Sequence, residues 1–269
     1  AKRRLFSQCT VGCFNADDRW TPFMLEGAQC RTMTFSAETN DADLTAKDIR
    51  MSAAGVRFAA VYQNEIALTR LAIPGIFSVN NALGAITVGL ALGMPLADCC
   101  DAMSTAKGVK GRVELVPTDG DYNIVIDYSH KPGALETVLK TLRPVTSGRL
   151  VCLFGCGGDR DKLKRPIMGA IAADNADFVI VTSDNPRTED PEEIIREITD
   201  GMKTKRTPRK VICDRVEAIH WAIDNALPGD VILLAGKGHE DYQIVGHEKH
   251  HMDEREIVAD WLEQRKSRG

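Results

Sequence analysis

The hydrophobic pattern of the first hundred residues changes from strand-like to helical near residue 75. Short apolar runs predict strands, and a Gln63-Asn64 turn joins the last two of them in an antiparallel patch. These runs lie at residues 10–15, 32–36, 49–54, 56–62 and 65–71. Apolar residues then recur at helical spacing, which predicts buried helices at 76–92 and 95–103.

The stretch KGVKGR contains a predicted linker at residues 108–111, because two glycines interrupt both patterns there. Beyond it, strand-like runs alternate with helical segments, as expected for a mainly parallel sheet. The predicted strands are YNIVID, RLVCLF, DFVIVT, KVICD and DVILLA. We therefore expect an α/β protein with two domains, residues 1–107 and 108–269.

Three of the predicted helices in the second domain have recognisable ends. Asp190 is expected to cap one helix, with Pro191 at its first position, and Asp214 with Glu217 repeats the capping pattern. A last helix is expected from about Glu254 to the basic tail QRKSRG, whose cations suit a helix C-terminus.

The amino-acid composition argues against several kinds of function and location. The 269 residues carry 34 basic and 38 acidic side chains, a net charge of -4, which argues against a nucleic-acid-coating surface or a polybasic membrane anchor. The eight cysteines show no zinc-ribbon spacing and suggest reduced core thiols of a cytosolic protein. No apolar run reaches the roughly 18 residues that span a bilayer, and no signal peptide is recognisable, so we expect a cytoplasmic protein without membrane insertion.

Candidate chemistry collects at one edge of the predicted parallel sheet. Ligands bind open sheets of this kind outside the carboxyl ends of the strands. The segments that leave these ends are dense in glycine and polar residues: DYSHKPGA, GCGGDRDKLKRP, SDNPRTED and AGKGHEDYQ. The connections at the opposite ends, such as RPVTSG and NALPG, are ordinary turns. This asymmetry favours a functional edge.

The first two of these segments each allow two interpretations. Asp127, Ser129, His130 and Lys131 either start a helix or handle a phosphate or a metal-bound water. GCGG with its following cations resembles a phosphate cradle at a helix start, yet it matches neither G-x-G-x-x-G nor G-x-x-x-x-G-K-[ST]. A solvated, charged helix start explains the cations but gives no reason for the glycines.

The other two segments offer complementary charges. Asn185 supplies an amide and Arg187 a planar fork suited to a carboxylate; the alternative is a turn in which Pro186 fixes φ and Arg187 pairs with a local acid. In AGKGHED the glycines allow close backbone approach, Lys237 and His239 reach either ligand or solvent, and Glu240 adds an acid. Arg187 with Glu240 would receive a zwitterion, which suits an amino acid.

Taken together and in this order, these segments resemble the Mur ligases, the ATP-dependent amide-bond-forming enzymes of peptidoglycan synthesis. The similarity continues through AKRRLF, NADD, FSVNNALGA and KGVKGRVE, so it covers nearly the whole chain. It implies a Rossmann-like C-terminal, amino-acid-binding domain after part of the α/β central, ATP-binding domain. It also implies a cytoplasmic enzyme of cell wall biogenesis, cell shape and cell division.

The resemblance also assigns residues to ATP and magnesium. Lys2 matches a lysine that is carbamylated in the family and helps to hold magnesium at the ATP phosphates. Asn81 matches an adenine contact, although Ser78 replaces the first Asn of the family's F-N-x-x-N pattern. Arg112, Asp127 and His130 match nucleotide contacts, and Lys2, Asp127 and His130 are the expected catalytic residues.

For the amino acid, the resemblance points to the family members that add meso-diaminopimelate to UDP-N-acetylmuramoyl-L-alanyl-D-glutamate. Arg187 would hold the distal carboxylate, and the Gly236 and Glu240 loop the distal ammonium. The residues matching this receiver are Arg160, Asn185, Pro186, Arg187, Gly236 and Glu240. Two alternatives stay open: addition of L-lysine, for which family members usually lack this Arg, and a non-catalytic amino-acid-binding module.

The family's N-terminal UDP-sugar domain and its P-loop would precede Ala1. We therefore expect the first hundred residues to be an incomplete central domain. We also expect the 269-residue chain to be inactive alone, which an ATP-dependent ligation assay would test.

Overall fold

The computed structural model describes residues 2–52, 55–106 and 108–268, without the side chains of Lys2 and Arg268. The chain divides into two compact units, Ala1–Lys107 and Gly108–Gly269. Each unit has its own sheet and its own apolar core. Unit 2 carries the cavity that forms the candidate site.

Unit 1 is a five-stranded sheet with two long helices and short helical segments. A 3₁₀ helix at Lys2–Ser7 precedes β1 (Val11–Asn15), α1 (Thr21–Leu25), β2 (Arg31–Ser36), β3 (Leu44–Ser52), β4 (Gly55–Tyr62), β5 (Glu65–Leu71), α2 (Ile76–Ala91) and α3 (Leu96–Thr105). The strands follow one another in sheet order, with β1–β3 parallel and β3–β5 antiparallel. Buried apolar residues of α2 share a core cluster with residues of β2–β4.

The predicted start of β3 at residue 49 is wrong. The strand begins at Leu44, which is fully buried, and its pairing with β4 shifts between Lys47 and Arg50. Asp48 adopts a positive φ of 51° within this irregularity. The bulge breaks the alternation of apolar and polar residues, so the sequence pattern reveals only the second half of the strand.

Unit 2 is a doubly wound α/β domain. Its elements are β6 (Glu114–Val116), β7 (Asn123–Asp127), α4 (Pro132–Leu142), a 3₁₀ turn at Arg143–Val145, β8 (Leu150–Phe154), α5 (Lys164–Asn175), β9 (Phe178–Val181), α6 (Pro191–Asp200), β10 (Arg209–Val211), α7 (Arg215–Asp224), β11 (Val231–Ala235), β12 (Tyr242–Val245), β13 (Glu248–His251) and α8 (Glu254–Arg268). The sheet order is β10-β9-β8-β11-β7-β6, and only the β6–β7 pair is antiparallel among its described strands. The predicted α/β class is confirmed, whereas β6 and the separate β12–β13 hairpin had not been predicted.

The central strands of unit 2 end together. Ala235 of β11 is in register with both Asp127 of β7 and Phe154 of β8, and Phe154 is in register with Val181 of β9. Parallel pairing therefore releases four polar loops at one edge of the sheet. Both predicted caps are present, since Asp190 accepts from the Glu192 N–H and Asp214 from the Glu217 N–H.

A buried ion pair ties two of these strand ends together. The guanidinium of Arg215, on α7, donates to the carbonyl of Ser183 at 3.2 Å and to that of Ala235 at 2.9 Å. Its Nε donates to Glu254 Oε1 at 2.9 Å, and both side chains are fully buried. The pair thus fixes the separation of the loops that follow β9 and β11.

A second network joins the loop after β8 to the loop after β9. Glu189 accepts from Nη1 and Nη2 of the buried Arg165, at 3.0 and 2.9 Å, and from the Asp159 N–H at 2.6 Å. Lys162 Nζ lies 2.9 Å from the same carboxylate. Hydrogen bonds from Arg165, then from Lys162 and the Asp159 N–H, lower the pKa of Glu189 to about 2 against the opposing effect of burial.

We predict that Glu254→Gln destabilises the protein by about 3–5 kcal/mol, because it leaves the Arg215 guanidinium buried without a counter-charge. Urea unfolding followed by tryptophan fluorescence measures the change. Glu263→Gln, an exposed position on the same helix, is the matched control and should change the free energy of unfolding by less than about 0.5 kcal/mol. Equal stabilities of the two variants would contradict the role of the ion pair.

We also predict that Glu189→Gln costs on the order of 2 kcal/mol at neutral pH, which is less than the full pKa shift implies because solvent partly screens these ion pairs. Because the folded-state pKa is depressed, this stability is present above the unfolded-state pKa and is lost as pH falls toward about 2. The difference in free energy of unfolding between variant and parent, measured at several pH values, should therefore shrink as pH falls from about 5 to 3. A difference that does not vary with pH would refute the ion-pair explanation.

Candidate functional site

A cavity of about 710 Å³ opens at the carboxyl edge of the unit 2 sheet. Its walls come from the loops after β7, β8, β9 and β11, from the first turns of α4 and α5, and from the first residue of β12. Its volume lies within the range of small-molecule sites. Of the predicted site residues, it brings together His130, Arg160, Asn185, Arg187, Gly236 and Glu240.

The amide of Asn185 is held in one orientation. Its Oδ1 accepts from Lys237 Nζ at 2.6 Å and from the Ile244 N–H at 2.9 Å, while its Nδ2 donates to Glu240 Oε2 at 2.9 Å. An ammonium and a backbone N–H only donate, and a carboxylate accepts, so these partners determine which end of the amide is which. Asn185 therefore links the Arg187 loop to Glu240.

Arg187 lies half-buried in a backbone conformation that is unusual for its type, with φ 53°. Its N–H donates to the Ile244 carbonyl at 3.1 Å, and its own carbonyl accepts from the Gly246 N–H at 2.7 Å. One guanidinium nitrogen, Nη1, donates to the Gly158 carbonyl at 2.9 Å. This bond holds the guanidinium at the cavity wall and occupies one nitrogen of the fork.

The glycines of GCGG are explained by packing against the Arg187 loop. A Cβ on Gly158 would lie 1.9 Å from the Pro186 carbonyl oxygen, and one on Gly155 would lie 2.3 Å from that of Thr182. A Cβ on Gly157 would lie 2.9 Å from Arg187 Nη1. These contacts, with the ion pair of Lys162, account for the segment without a phosphate.

Lys237 is fully buried beside the cavity, so the expectation that it reaches either ligand or solvent is wrong. Besides Asn185, its ammonium donates to the Tyr242 carbonyl at 2.6 Å and lies 3.4 Å from Asp184 Oδ1 and 3.6 Å from Glu240 Oε2. Burial lowers the pKa of Lys237, and the carboxylate of Asp184 opposes that shift. The sequence alone contains little indication that Lys237 is buried, because its hydrogen-bond and ion-pair partners lie on separate segments of the chain.

Asp127 is buried and bonded to protein groups. Its Oδ2 accepts from the Val113 N–H at 2.9 Å, and its Oδ1 accepts from the Ser129 hydroxyl. It lies outside the cavity lining, whereas His130 is part of it, with Nδ1 3.0 Å from the Tyr128 carbonyl oxygen. Asp127 therefore positions the loop on which His130 stands.

An aromatic and cationic cluster adjoins this loop. The Tyr128 ring lies 4.6 Å from the His130 ring and 4.8 Å from the His239 ring, and the exposed Arg112 guanidinium is 5.3 Å from its centre. Rings with a neighbouring cation provide a surface on which a planar, anionic ligand can stack.

The remaining predicted residues lie elsewhere or have no described contact. Asn81 is exposed on α2 of unit 1, Pro186 is buried outside the cavity lining, and Arg160 is exposed at the cavity without a hydrogen bond or ion pair among the described residues. The side chain of Lys2 lies outside the described residues. Within the described ranges, no group of three or more His, Cys, Asp or Glu side chains could hold a metal ion, and no helix could cross a membrane.

Comparison with known proteins gives consistent matches along the chain. The family model for the Mur ligase middle domain matches residues 1–89, and that for the Mur ligase glutamate ligase domain matches residues 111–238. Two curated relatives are both named UDP-N-acetylmuramoyl-L-alanyl-D-glutamate--2,6-diaminopimelate ligase. The one from Caldanaerobacter subterraneus is 45% identical over 97% of this chain and 54% of its own length, and the one from Synechocystis is 43% identical over 97% and 53%.

Solved structures agree with these matches. A structure of UDP-N-acetylmuramoyl-L-alanyl-D-glutamate--2,6-diaminopimelate ligase superposes with a TM-score of 0.75 at 36% identity, covering 98% of this chain and 56% of that one. MurF ligase from Thermotoga maritima, solved in complex with ADP, shares the fold with a TM-score of 0.63 at 18% identity, covering 96% and 54%. The chain spans about half the length of the curated relatives it matches. Because the two domain models together match most of its length, the middle domain first and the glutamate ligase domain after it, the chain belongs to the Mur ligase family.

Proposed function

We propose that the protein is an ATP-dependent ligase that adds meso-diaminopimelate to UDP-N-acetylmuramoyl-L-alanyl-D-glutamate in peptidoglycan synthesis. The observation that carries this proposal is the presence of a guanidinium, Arg187, and an acid, Glu240, in one cavity with Asn185 bonded to the acid. The names of the relatives point to the same substrates.

In this proposal, unit 2 receives the amino acid. Arg187 pairs with the distal carboxylate of diaminopimelate, and Glu240 with its distal ammonium. Gly236, whose φ of 115° suits glycine, brings backbone into the cavity lining next to Asp184. Arg160, unpaired among the described residues, is free to meet the second carboxylate.

The reaction proceeds in two steps. The carboxylate of the UDP-linked dipeptide attacks the γ-phosphorus of ATP, releasing ADP and forming an acyl phosphate. The amine of diaminopimelate then attacks the acyl carbon, and inorganic phosphate and a proton leave. The described side chains form no covalent intermediate in this scheme, so their contribution is to orient the amine and to neutralise charge.

For ATP, the residues present fit a nucleotide. Arg112 and His130, both close to the Tyr128 ring, offer a cation and rings to a planar anionic ligand, and Asp127 bonds to a neighbour of each through Val113 and Ser129. Asn81, exposed on α2, remains the proposed adenine contact. Magnesium, with a carbamylated Lys2 as its indirect partner, would neutralise phosphate charge. Lys2 is assigned to it from the resemblance alone.

Two alternatives were drawn from the sequence: addition of L-lysine and a non-catalytic amino-acid-binding module. Addition of L-lysine is not favoured, because L-lysine has no second carboxylate for Arg187 to bind. No observation favours the non-catalytic module. The names of the relatives also specify a ligase and the 2,6-diaminopimelate substrate.

We predict that Arg187→Ala, in the protein expressed at the full length of its reading frame, raises the KM for meso-diaminopimelate by about 10- to 100-fold. A charge-assisted bidentate pair contributes roughly 1.5–3 kcal/mol, which corresponds to this range. The KM for ATP should stay within about twofold. Arg196→Ala, which removes an exposed arginine paired with Glu193 on α6, is the control. Unchanged diaminopimelate kinetics in the Arg187 variant would count against the assignment.

A further inference from the structure

Lys237 is a buried cation among groups of the proposed receiver. Its ammonium has three kinds of neighbours: the carbonyl of Tyr242, the amide oxygen of Asn185, and the carboxylates of Asp184 and Glu240. It does not line the cavity, whereas the other four residues do. Lys237 therefore acts on a ligand only through the residues that it holds.

The formal charges of Lys237, its two carboxylate neighbours and Arg187 cancel. Asp184 and Glu240 contribute two negative charges, and Lys237 and Arg187 contribute two positive ones. The nearby Arg215 is paired with the buried Glu254 and adds nothing to the sum. Lys249, which lies over the Tyr242 ring, and Arg160 are both exposed. Solvent therefore screens their charges more strongly than that of the buried Lys237.

A neutral receiver suits a neutral distal group. The distal end of diaminopimelate carries one carboxylate and one ammonium, while that of L-lysine carries the ammonium alone and that of L-2-aminoadipate the carboxylate alone. In a poorly hydrated site an uncompensated charge is costly, so the sum of the fixed charges discriminates among these ligands.

We propose that Lys237 is a specificity-determining positioning residue, which offsets one of the two carboxylates and so makes the receiver select a distal zwitterion over a distal ammonium. This inference rests on the proposed function and extends it. The same ammonium holds Asn185 Oδ1 away from the Glu240 carboxylate, so that the amide presents its N–H groups to the acid. Charge balance and amide orientation thus depend on one buried side chain.

The test uses Lys237→Met in the protein expressed at the full length of its reading frame. Methionine keeps much of the length of the side chain and removes the charge. We expect kcat/KM for meso-diaminopimelate divided by kcat/KM for L-lysine to fall by at least about tenfold, because the receiver then carries a net negative charge. A residue with only a structural role would lower both values together and leave their ratio unchanged.

Further variants test the charge count. Lys237→Met combined with Asp184→Asn returns the formal sum to zero, and we expect it to recover most of the lost ratio. Asp184→Asn alone makes the sum positive and should favour L-2-aminoadipate relative to diaminopimelate, so it tests the inference even if Lys237→Met does not fold. Lys210→Met, which removes an exposed lysine near Trp221, is the control for a general loss of charge and should leave the ratios unchanged.

The outcomes separate the two proposals. If the parent protein does not prefer meso-diaminopimelate to L-lysine, the proposed function fails. If the parent has that preference but folded Lys237→Met keeps the same ratio, or Asp184→Asn leaves the aminoadipate ratio unchanged, the role of Lys237 is overturned. A ratio that falls in the single variant and recovers in the double variant supports it.

Discussion

The parallel register of β7, β11 and β8 is the constraint on which unit 2 depends. These strands are almost fully buried and end together at Asp127, Ala235 and Phe154, so the chain leaves the sheet three times at one place. A parallel sheet needs a long crossover after each strand, and the start of each crossover lies at this edge. The cavity is a direct consequence, since loops from distant parts of the sequence meet there.

Buried cations hold these loops in position. Arg165, Arg215 and Lys237 are fully buried, and each lies within ion-pair distance of at least one carboxylate and donates to at least one backbone carbonyl. Removing a cation from water is costly, and the ion pairs offset that cost without necessarily adding stability. Their contribution here is geometric, because each bonds to groups on separate loops. The hydrogen-bond donors that a ligand would contact in the cavity are therefore positioned by these buried cations and their partners.

Much of the architecture was predictable because it is local. The strands β7, β8, β9 and β11 are short apolar runs, and the caps Asp190 and Asp214 bond to neighbours within three residues. The position of the candidate site was predictable because ligands bind outside the carboxyl ends of the strands in an open parallel sheet. What sequence could not supply depends on distant contacts: Gly158 is needed because the Pro186 carbonyl packs against it, and Lys237 is buried because Asp184 and Asn185 come from another loop. The β12–β13 hairpin was missed because β12 is only four residues long and half-buried, while β13 is polar and exposed, so neither strand carries a recognisable apolar period.

The backbone of Arg187 shows how such contacts override local preference. A positive φ is uncommon for a residue with a Cβ and costs on the order of 1 kcal/mol or more, so glycine would be favoured there. The conformation persists because β12 and the turn after it hold the residue at both its N–H and its carbonyl, through Ile244 and Gly246. Glycine would relieve the strain but would lose the guanidinium. Asp159, which bonds to Thr188 from the facing loop, has a similar φ of 52°. At Arg187 the backbone contacts with β12 and its turn therefore outweigh the local preference for glycine and keep a guanidinium at the cavity wall.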